Sequence, residues 1–173
     1  SGSTGAVTYT YYTDAACTTK TTTASGAASG GAAPKNAGDY WVTATVAASG
    51  NYGSATSDAK KFTISPRNIS EVTVASIADK EYTGSSIEPP LTVTYNGAPL
   101  ASGTDYTVEY TSNLNVGTAT ATVKAKTGGN FVGEKSVTFE IKAKAITPVV
   151  TVTGSYEYTG NPISPTYKVE ITS

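Results

Sequence analysis

The chain has 173 residues and a formal net charge of −1, with 12 Lys and Arg set against 13 Asp and Glu. These charges are scattered singly, without the basic stripe of a nucleic-acid surface, and no apolar run approaches the roughly 20 residues needed to span a bilayer. His, Gln and Met are absent. Their absence removes the usual general base of hydrolases, the commonest metal ligand, and the glutamine of thioester or ester cross-links. The apolar content is mainly Val, Ile, Ala and Tyr, which suits a pleated, half-buried surface. No helical periodicity is sustained, so the chain reads as all-β. The single cysteine, Cys17, has no intramolecular partner and reads as a small buried hydrophobe. No leader-like segment opens the chain, which therefore reads as a mature or excised fragment.

In chain order, Val7, Tyr9 and Tyr11 alternate as one strand face. Residues 18–34, rich in Thr, Ala, Ser and Gly, read as a flexible solvated loop, with O-linked sugar as a lesser alternative. Asn36-Ala37-Gly38 then leads into a long alternating strand. The turn Gly50-Asn51-Tyr52 and a closing strand Lys61–Ile64 follow.

Beyond residue 65 the expected strands are Glu71–Val74, Leu91–Tyr95, Tyr106–Tyr110, Thr118–Lys126 and Ser136–Lys142. Asn96-Gly97 is a strong short-hairpin signal, because both residues tolerate positive φ. Gly128-Gly129 is a second turn signal. Strand alternation points Ala119, Ala121, Val123 and Ala125 inward, with Thr118, Thr120, Thr122, Lys124 and Lys126 outward. Tyr106, Val108 and Tyr110 face the core by the same rule, and Val7, Tyr9 and Tyr11 match them in period. Two more strands, Ile146–Val152 and Tyr167–Ile171, are expected near the C-terminus.

Two internal repeats set the organisation. Glu81-Tyr82-Thr83-Gly84 recurs as Glu157-Tyr158-Thr159-Gly160, each ahead of a Pro-containing bend and a strand. Asn36-Ala37-Gly38 recurs as Asn115-Val116-Gly117. Each of these precedes a long strand and then Gly-Asn-aromatic, at Gly50-Asn51-Tyr52 and Gly129-Asn130-Phe131. All offsets lie between 76 and 79 residues, the size of one sandwich domain. The expected domains are residues 1–64 as the C-terminal half of a unit, 65–142 as a complete one, and 143–173 as the N-terminal half of another.

Asn36-x-Gly38-x-Tyr40 matches the tyrosine corner of immunoglobulin domains, in which a Tyr bonds back to upstream backbone. Ala119 replaces that Tyr in the middle domain. With the Tyr-Thr-Gly and Gly-Asn-aromatic elements, the chain resembles the bacterial immunoglobulin-like tandem repeats (the Big and MBG groups) of Gram-positive surface proteins. The resemblance covers nearly the whole chain and rests on short turn motifs. It implies tandem Ig-like antiparallel β-sandwiches outside the cell, at the surface or in the cell wall, serving as stalk, spacer or adhesin segments.

For chemistry, the acidic pairs Asp105 with Glu109 and Glu134 with Glu140 are the first places to look. Asp105 reads as a turn cap and Glu109 and Glu140 as outward strand residues, so no catalytic residue is expected. No cofactor is expected either. Metal sites are not expected, for want of His and of an Asp-x-Asp-x-Asp loop; a calcium held by linker carbonyls and one Asp stays open. A Lys–Asn or Lys–Asp isopeptide would need a buried Lys beside an acid, and Lys124 and Lys126 point outward.

Carbohydrate or host binding is the rival reading, since 12 Tyr and one Trp are present. Most of these Tyr read as core or corner residues. Trp41, between inward Tyr40 and Val42, is expected on the outer face, as an interdomain or repeat-packing contact or as a sugar platform. The favoured function is a structural repeat segment, and the alternative is an adhesin module that binds glycan. The expected partners are copies of the chain or adjacent repeats, head to tail. In that scheme Ile146, Val150, Val152, Tyr167, Val169 and Ile171 form a strand-complementing segment for the half-domain of the next copy, or for the next part of a longer repetitive chain. The joint, Tyr167–Ser173 followed by Ser1–Tyr9, reads as a hairpin.

Overall fold

The structure, a computed structural model, describes residues 3–22 and 31–172. Within them every regular element is a strand, apart from one 3-10 turn at Ile69–Glu71. The chain falls into two compact units. One comprises Ser1–Val74, Thr92–Glu109 and Thr122–Ser136; the other comprises Ala75–Leu91, Tyr110–Ala121 and Val137–Ser173.

The first sheet is built on β2 (Gly38–Val46), which pairs antiparallel with β1 (Val7–Tyr12), β3 (Ala55–Thr56) and β4 (Lys60–Ile64). Residues opposite one another share a face. The register sets Tyr11 against Val42 and Tyr40 against Phe62. One face therefore carries Val7, Tyr9, Tyr11, Tyr40, Val42, Ala44 and Phe62. Phe62 meets the rings of Tyr11 and Tyr40 at 6.0 and 5.8 Å. The far end of this face stays open: Val7 is 50% and Tyr9 60% exposed, so the expected core role of these two is not realised within the chain.

Of the expected loop 18–34, residues 23–30 lie outside the described residues. The rest is ordered by hydrogen bonds rather than solvated freely. Asp14 Oδ1 accepts from the Thr18 N–H at 3.1 Å and Oδ2 from the Thr19 N–H at 2.6 Å. Further on, the Thr21 N–H donates to Tyr11 O and the Tyr11 N–H donates to Gly31 O, at 2.9 and 3.2 Å. These bonds occupy the outer edge of β1 at Tyr11, where a foreign strand could otherwise pair. Gly31 can lie this close only without a side chain: a Cβ there would come within 2.5 Å of Thr10 Cγ2, and its φ is +79°.

Next come β5 (Arg67–Asn68), β6 (Thr73–Val74), β7 (Lys80–Glu81), β8 (Val93–Tyr95), β9 (Ala98–Pro99), β10 (Tyr106–Thr111), β11 (Gly117–Ala125), β12 (Phe131–Val132) and β13 (Glu134–Lys142). One sheet has the order β10-β11-β13-β7, a second β6-β8-β9, and β5 pairs with β12. Asn96 and Gly97, with φ of +49° and +79°, turn β8 into β9 as the sequence suggests. Ala119, Ala121 and Val123 are fully buried, Thr118 is exposed and Thr120, Thr122 and Lys124 are half-buried. Strand parity therefore holds along β11 as far as Val123, while Ala125, expected inward, is half-buried. In the first unit Ile69, Val72, Val93, Tyr106, Val123 and Phe131 are buried. In the second, Ala119, Phe139 and Ile141 form a core against which Ile77, Ile87 and Tyr110 pack.

The expected strand Glu71–Val74 begins late. The Asn68 side chain accepts the Ser70 N–H at 2.8 Å and starts the 3-10 turn instead. An Asx cap of this kind competes with a strand ladder. The strand expected from Leu91 begins at Val93 for a different reason: Pro89-Pro90 immediately precedes it and supplies no N–H donors.

The last two strands, β14 (Thr147–Thr153) and β15 (Thr166–Thr172), pair antiparallel as a ribbon. Val150 lies opposite Val169 and Val149 opposite Glu170. Shifted back by 76 residues, these are the pairs Val74 with Val93 and Thr73 with Thr94 of β6 and β8. The same pairing register therefore occurs twice in the chain. Val93 is 1% exposed, whereas its counterpart Val169 is 50% exposed. Deleting buried methyls leaves a cavity, while an exposed site loses little. In urea unfolding followed by circular dichroism at low protein concentration, Val93→Ala should cost about 1–3 kcal/mol and Val169→Ala less than about 0.5 kcal/mol. Equal losses at the two positions would contradict this assignment of core and surface.

Candidate functional site

Three features of the fold bring the sequence's candidate residues together. The first is the Trp41 face of β2. Trp41 is half-buried and lies between Tyr12 on β1 and Lys61 on β4. It points away from the face of Tyr40 and Val42, as parity requires. Lys61 Nζ sits 5.7 Å from the indole centroid and 2.7 Å from Asp39 Oδ2. Thr63 donates its hydroxyl to Asp39 Oδ1 at 2.5 Å. The Lys61 ammonium first, and Thr63 second, hold the Asp39 carboxyl below its ordinary range. One face of the indole is thus occupied by the chain's own cation.

The second feature is the corner at Asn36, Gly38 and Tyr40. Tyr40 Oη donates to Asn36 O at 3.1 Å, a Tyr-to-upstream-backbone bond of the kind the corner pattern describes. Around it lies a contact not read from the sequence. Asn130 Oδ1 accepts the Ala37 N–H at 2.8 Å, and Asn130 Nδ2 reaches Asn36 Oδ1 at 3.3 Å. The Asn130 carbonyl in turn accepts the Arg67 N–H at 2.9 Å. Arg67 lies over the Tyr95 ring at 5.7 Å and pairs with Glu71 at 2.6 Å. Asn130 thus clasps the corner through two side-chain bonds and Arg67 through its carbonyl, beside an open groove lined by Lys35, Tyr95 and Phe131. The recurrence of Gly-Asn-aromatic was the available signal, but it read only as a turn.

The third feature is the β14–β15 ribbon. Pro148, Val150, Val152, Tyr167, Val169 and Ile171 share one face by register, and Thr151, Lys168 and Glu170 lie on the other. Every residue from Thr147 to Ile171 is exposed. Ile146 precedes the ribbon and is exposed too. It lines an open groove of about 420 Å³ with Tyr82, Val116, Ala143 and Lys144. The repeated Tyr-Thr-Gly turn keeps its geometry in both copies. Thr83 Oγ1 accepts the Ser85 N–H at 3.3 Å, and Thr159 Oγ1 accepts the Asn161 N–H at 3.4 Å. The glycines that follow have φ of +80° and +74°, a region that favours glycine.

Three of the acidic candidates, Asp105, Glu109 and Glu140, are engaged by close neighbours. Asp105 Oδ2 accepts the Ala101 N–H at 2.8 Å, a turn cap. Glu109 pairs with Lys124 at 2.6 Å, which raises the lysine above its usual range. Glu140 accepts from Thr118 at 2.6 Å. Among the described residues no group of three or more His, Cys, Asp or Glu could hold a metal. Cys17 is half-buried at a turn with φ of +56°. No family model, curated protein or solved structure matches the chain.

The Asp39–Lys61–Trp41 arrangement has a defined pH response. A carboxyl whose folded pKa is depressed keeps its interaction above the unfolded value of about 3.9 and loses it as pH falls through the lower folded value. Trp41 fluorescence should therefore stay flat from neutral pH to about pH 4 and change only below it, with that step missing in Asp39→Asn. A step centred above pH 4, or one kept by Asp39→Asn, would contradict this.

Proposed function

We propose that the chain is a structural repeat segment of an extracellular bacterial surface protein, a stalk, spacer or fibre piece built of tandem immunoglobulin-like sandwiches, with no enzymatic role. The observation that carries this reading is the return of one pairing register and one Thr-Gly turn after 76 residues, at β6–β8 and again at β14–β15. A chain that spells the same unit more than once is suited to stacking neighbours, since each unit presents surface that another can cover. The Tyr40–Asn36 bond supports the immunoglobulin-like character of the unit, as does the recurrence of a nine-residue central strand, Gly38–Val46 and Gly117–Ala125, flanked by two antiparallel or edge partners in the order β1-β2-β4 and β10-β11-β13. Surface location and Gram-positive origin rest on the resemblance of the motifs.

In this reading the partners are copies of the chain or adjacent repeats, joined head to tail. The exposed apolar face of the ribbon and the open end of the first sheet, at Val7 and Tyr9, are the surfaces available for such a joint. The glycan-binding alternative would use Trp41, whose ring already carries Lys61 at one side and Tyr12 as cross-strand neighbour. A flat, open aromatic platform is what a sugar site needs. A titration of Trp41 fluorescence with plant and mucin glycans should give no saturable change. Saturable quenching at micromolar glycan would replace the structural reading with the adhesin one.

A further inference from the structure

The clasp made by Asn130 has a counterpart whose two halves are both present in the chain and both open. By the repeat offsets, Asn36-Ala37-Gly38 corresponds to Asn115-Val116-Gly117, and Gly129-Asn130-Phe131 to Gly50-Asn51-Tyr52. Arg67-Asn68, which pair with Phe131-Val132, correspond to Ala143-Lys144. Val116, Ala143 and Lys144 line the groove that also contains Tyr82 and Ile146. That groove stands where the Asn130 turn would be expected one repeat further on. Val116 is 57% exposed, and Asn51 and Tyr52 are exposed as well.

We propose that this groove seats the Gly50-Asn51-Tyr52 turn of a second copy of the chain. The proposal rests on the head-to-tail reading above and adds the joint that fixes its geometry. In the seat, Asn51 Oδ1 accepts the Val116 N–H, as Asn130 Oδ1 accepts that of Ala37. The Asn51 carbonyl accepts the Ala143 N–H, as that of Asn130 accepts the one of Arg67. Tyr52 takes the place of Phe131, whose ring packs edge-on to Tyr95 at 5.4 Å. The residue equivalent to Tyr95 is Ile171, 63% exposed on the apolar face of the ribbon. The same docking therefore covers the ribbon with the open face of the second copy's first sheet, at Val7, Tyr9 and Tyr11.

A second copy is the occupant because the seat asks for a Gly-Asn-aromatic turn projecting from a sheet with an open apolar face, and the chain carries that combination. The equivalence also corrects the expected hairpin between Tyr167–Ser173 and Ser1–Tyr9. The corresponding strands of the middle segment, β8 and β10, belong to different sheets, so β15 and the second copy's β1 face each other across a core. The joint is heterologous, groove to turn, and propagates into a fibre rather than closing a dimer.

The test is sedimentation velocity of the 173-residue chain over a concentration series, with two variants in a Cys17→Ser background. Ile171→Asp places a charge on the ribbon's apolar face and probes head-to-tail association itself. Asn51→Ala removes the clasping side chain from an exposed turn, where the fold does not depend on it. The expected result is concentration-dependent chains of copies, abolished by Ile171→Asp and weakened about tenfold by Asn51→Ala, the effect of losing hydrogen bonds to backbone at an interface. Association that Ile171→Asp abolishes and Asn51→Ala leaves unchanged would overturn the joint and leave the head-to-tail reading standing. A monomer at every concentration would overturn both.

Discussion

A two-stranded ribbon with one apolar face cannot cover that face itself, and the arrangement of this chain follows from that constraint. An isolated hairpin is marginal in water; burial against a second layer is what makes it persist. At β6 and β8 the constraint is met, because Val93 on β8 and Val72, just ahead of β6, are sealed at 1% exposure. In β14 and β15 the register is the same, yet Val150, Val169 and Ile171 face outward. The first sheet has the complementary condition, with Val7 and Tyr9 open at one end, while Thr21 and Gly31 engage its outer edge at Tyr11. Apolar surface of this kind is what a partner can use.

The recurrence within the chain reaches beyond the short motifs. In the first sheet Asp39 on β2 accepts from Thr63 on β4 at 2.5 Å. One repeat on, Thr118 on β11 donates to Glu140 on β13 at 2.6 Å. The carboxylate and the hydroxyl have changed places and the cross-strand bond remains. Such a pair stabilises the sheet locally, and with the roles exchanged it is the cross-strand pairing, not the individual side chain, that recurs. The lysine pairs do not recur in this way: Lys61 pairs with Asp39 across β4 and β2, and Lys124 with Glu109 across β11 and β10, and at exposed positions each pair adds little stability.

The strand parity of β2 and β11 was legible because both run for nine residues, long enough for a period of two to declare itself. The Asn96-Gly97 turn was legible from its chemistry. Two-residue strands such as β5, β7, β9 and β12 are too short to alternate and had no signature. The 3-10 turn at Ile69 was hidden because a single Asn cap decides it. The order in residues 13–22 was hidden too, since Asp14 reads like any polar loop residue until Thr18 and Thr19 bring their N–H groups to it. At the candidate site, the facing of Trp41 followed from parity, but the clasp of Asn130 on Ala37 joins residues 93 positions apart and no local pattern carries it.

The central claim is that the ribbon and the first sheet supply each other's missing layer in successive copies. Hydrogen–deuterium exchange followed by mass spectrometry, over a range of protein concentrations, addresses it directly. The account predicts that peptides covering residues 147–153 and 166–172 exchange fast in dilute protein and gain protection together with residues 7–12 and 50–52 as concentration rises, while β11 stays protected throughout. Exchange of the ribbon that is independent of concentration, or strong protection already at the lowest concentration, would contradict it.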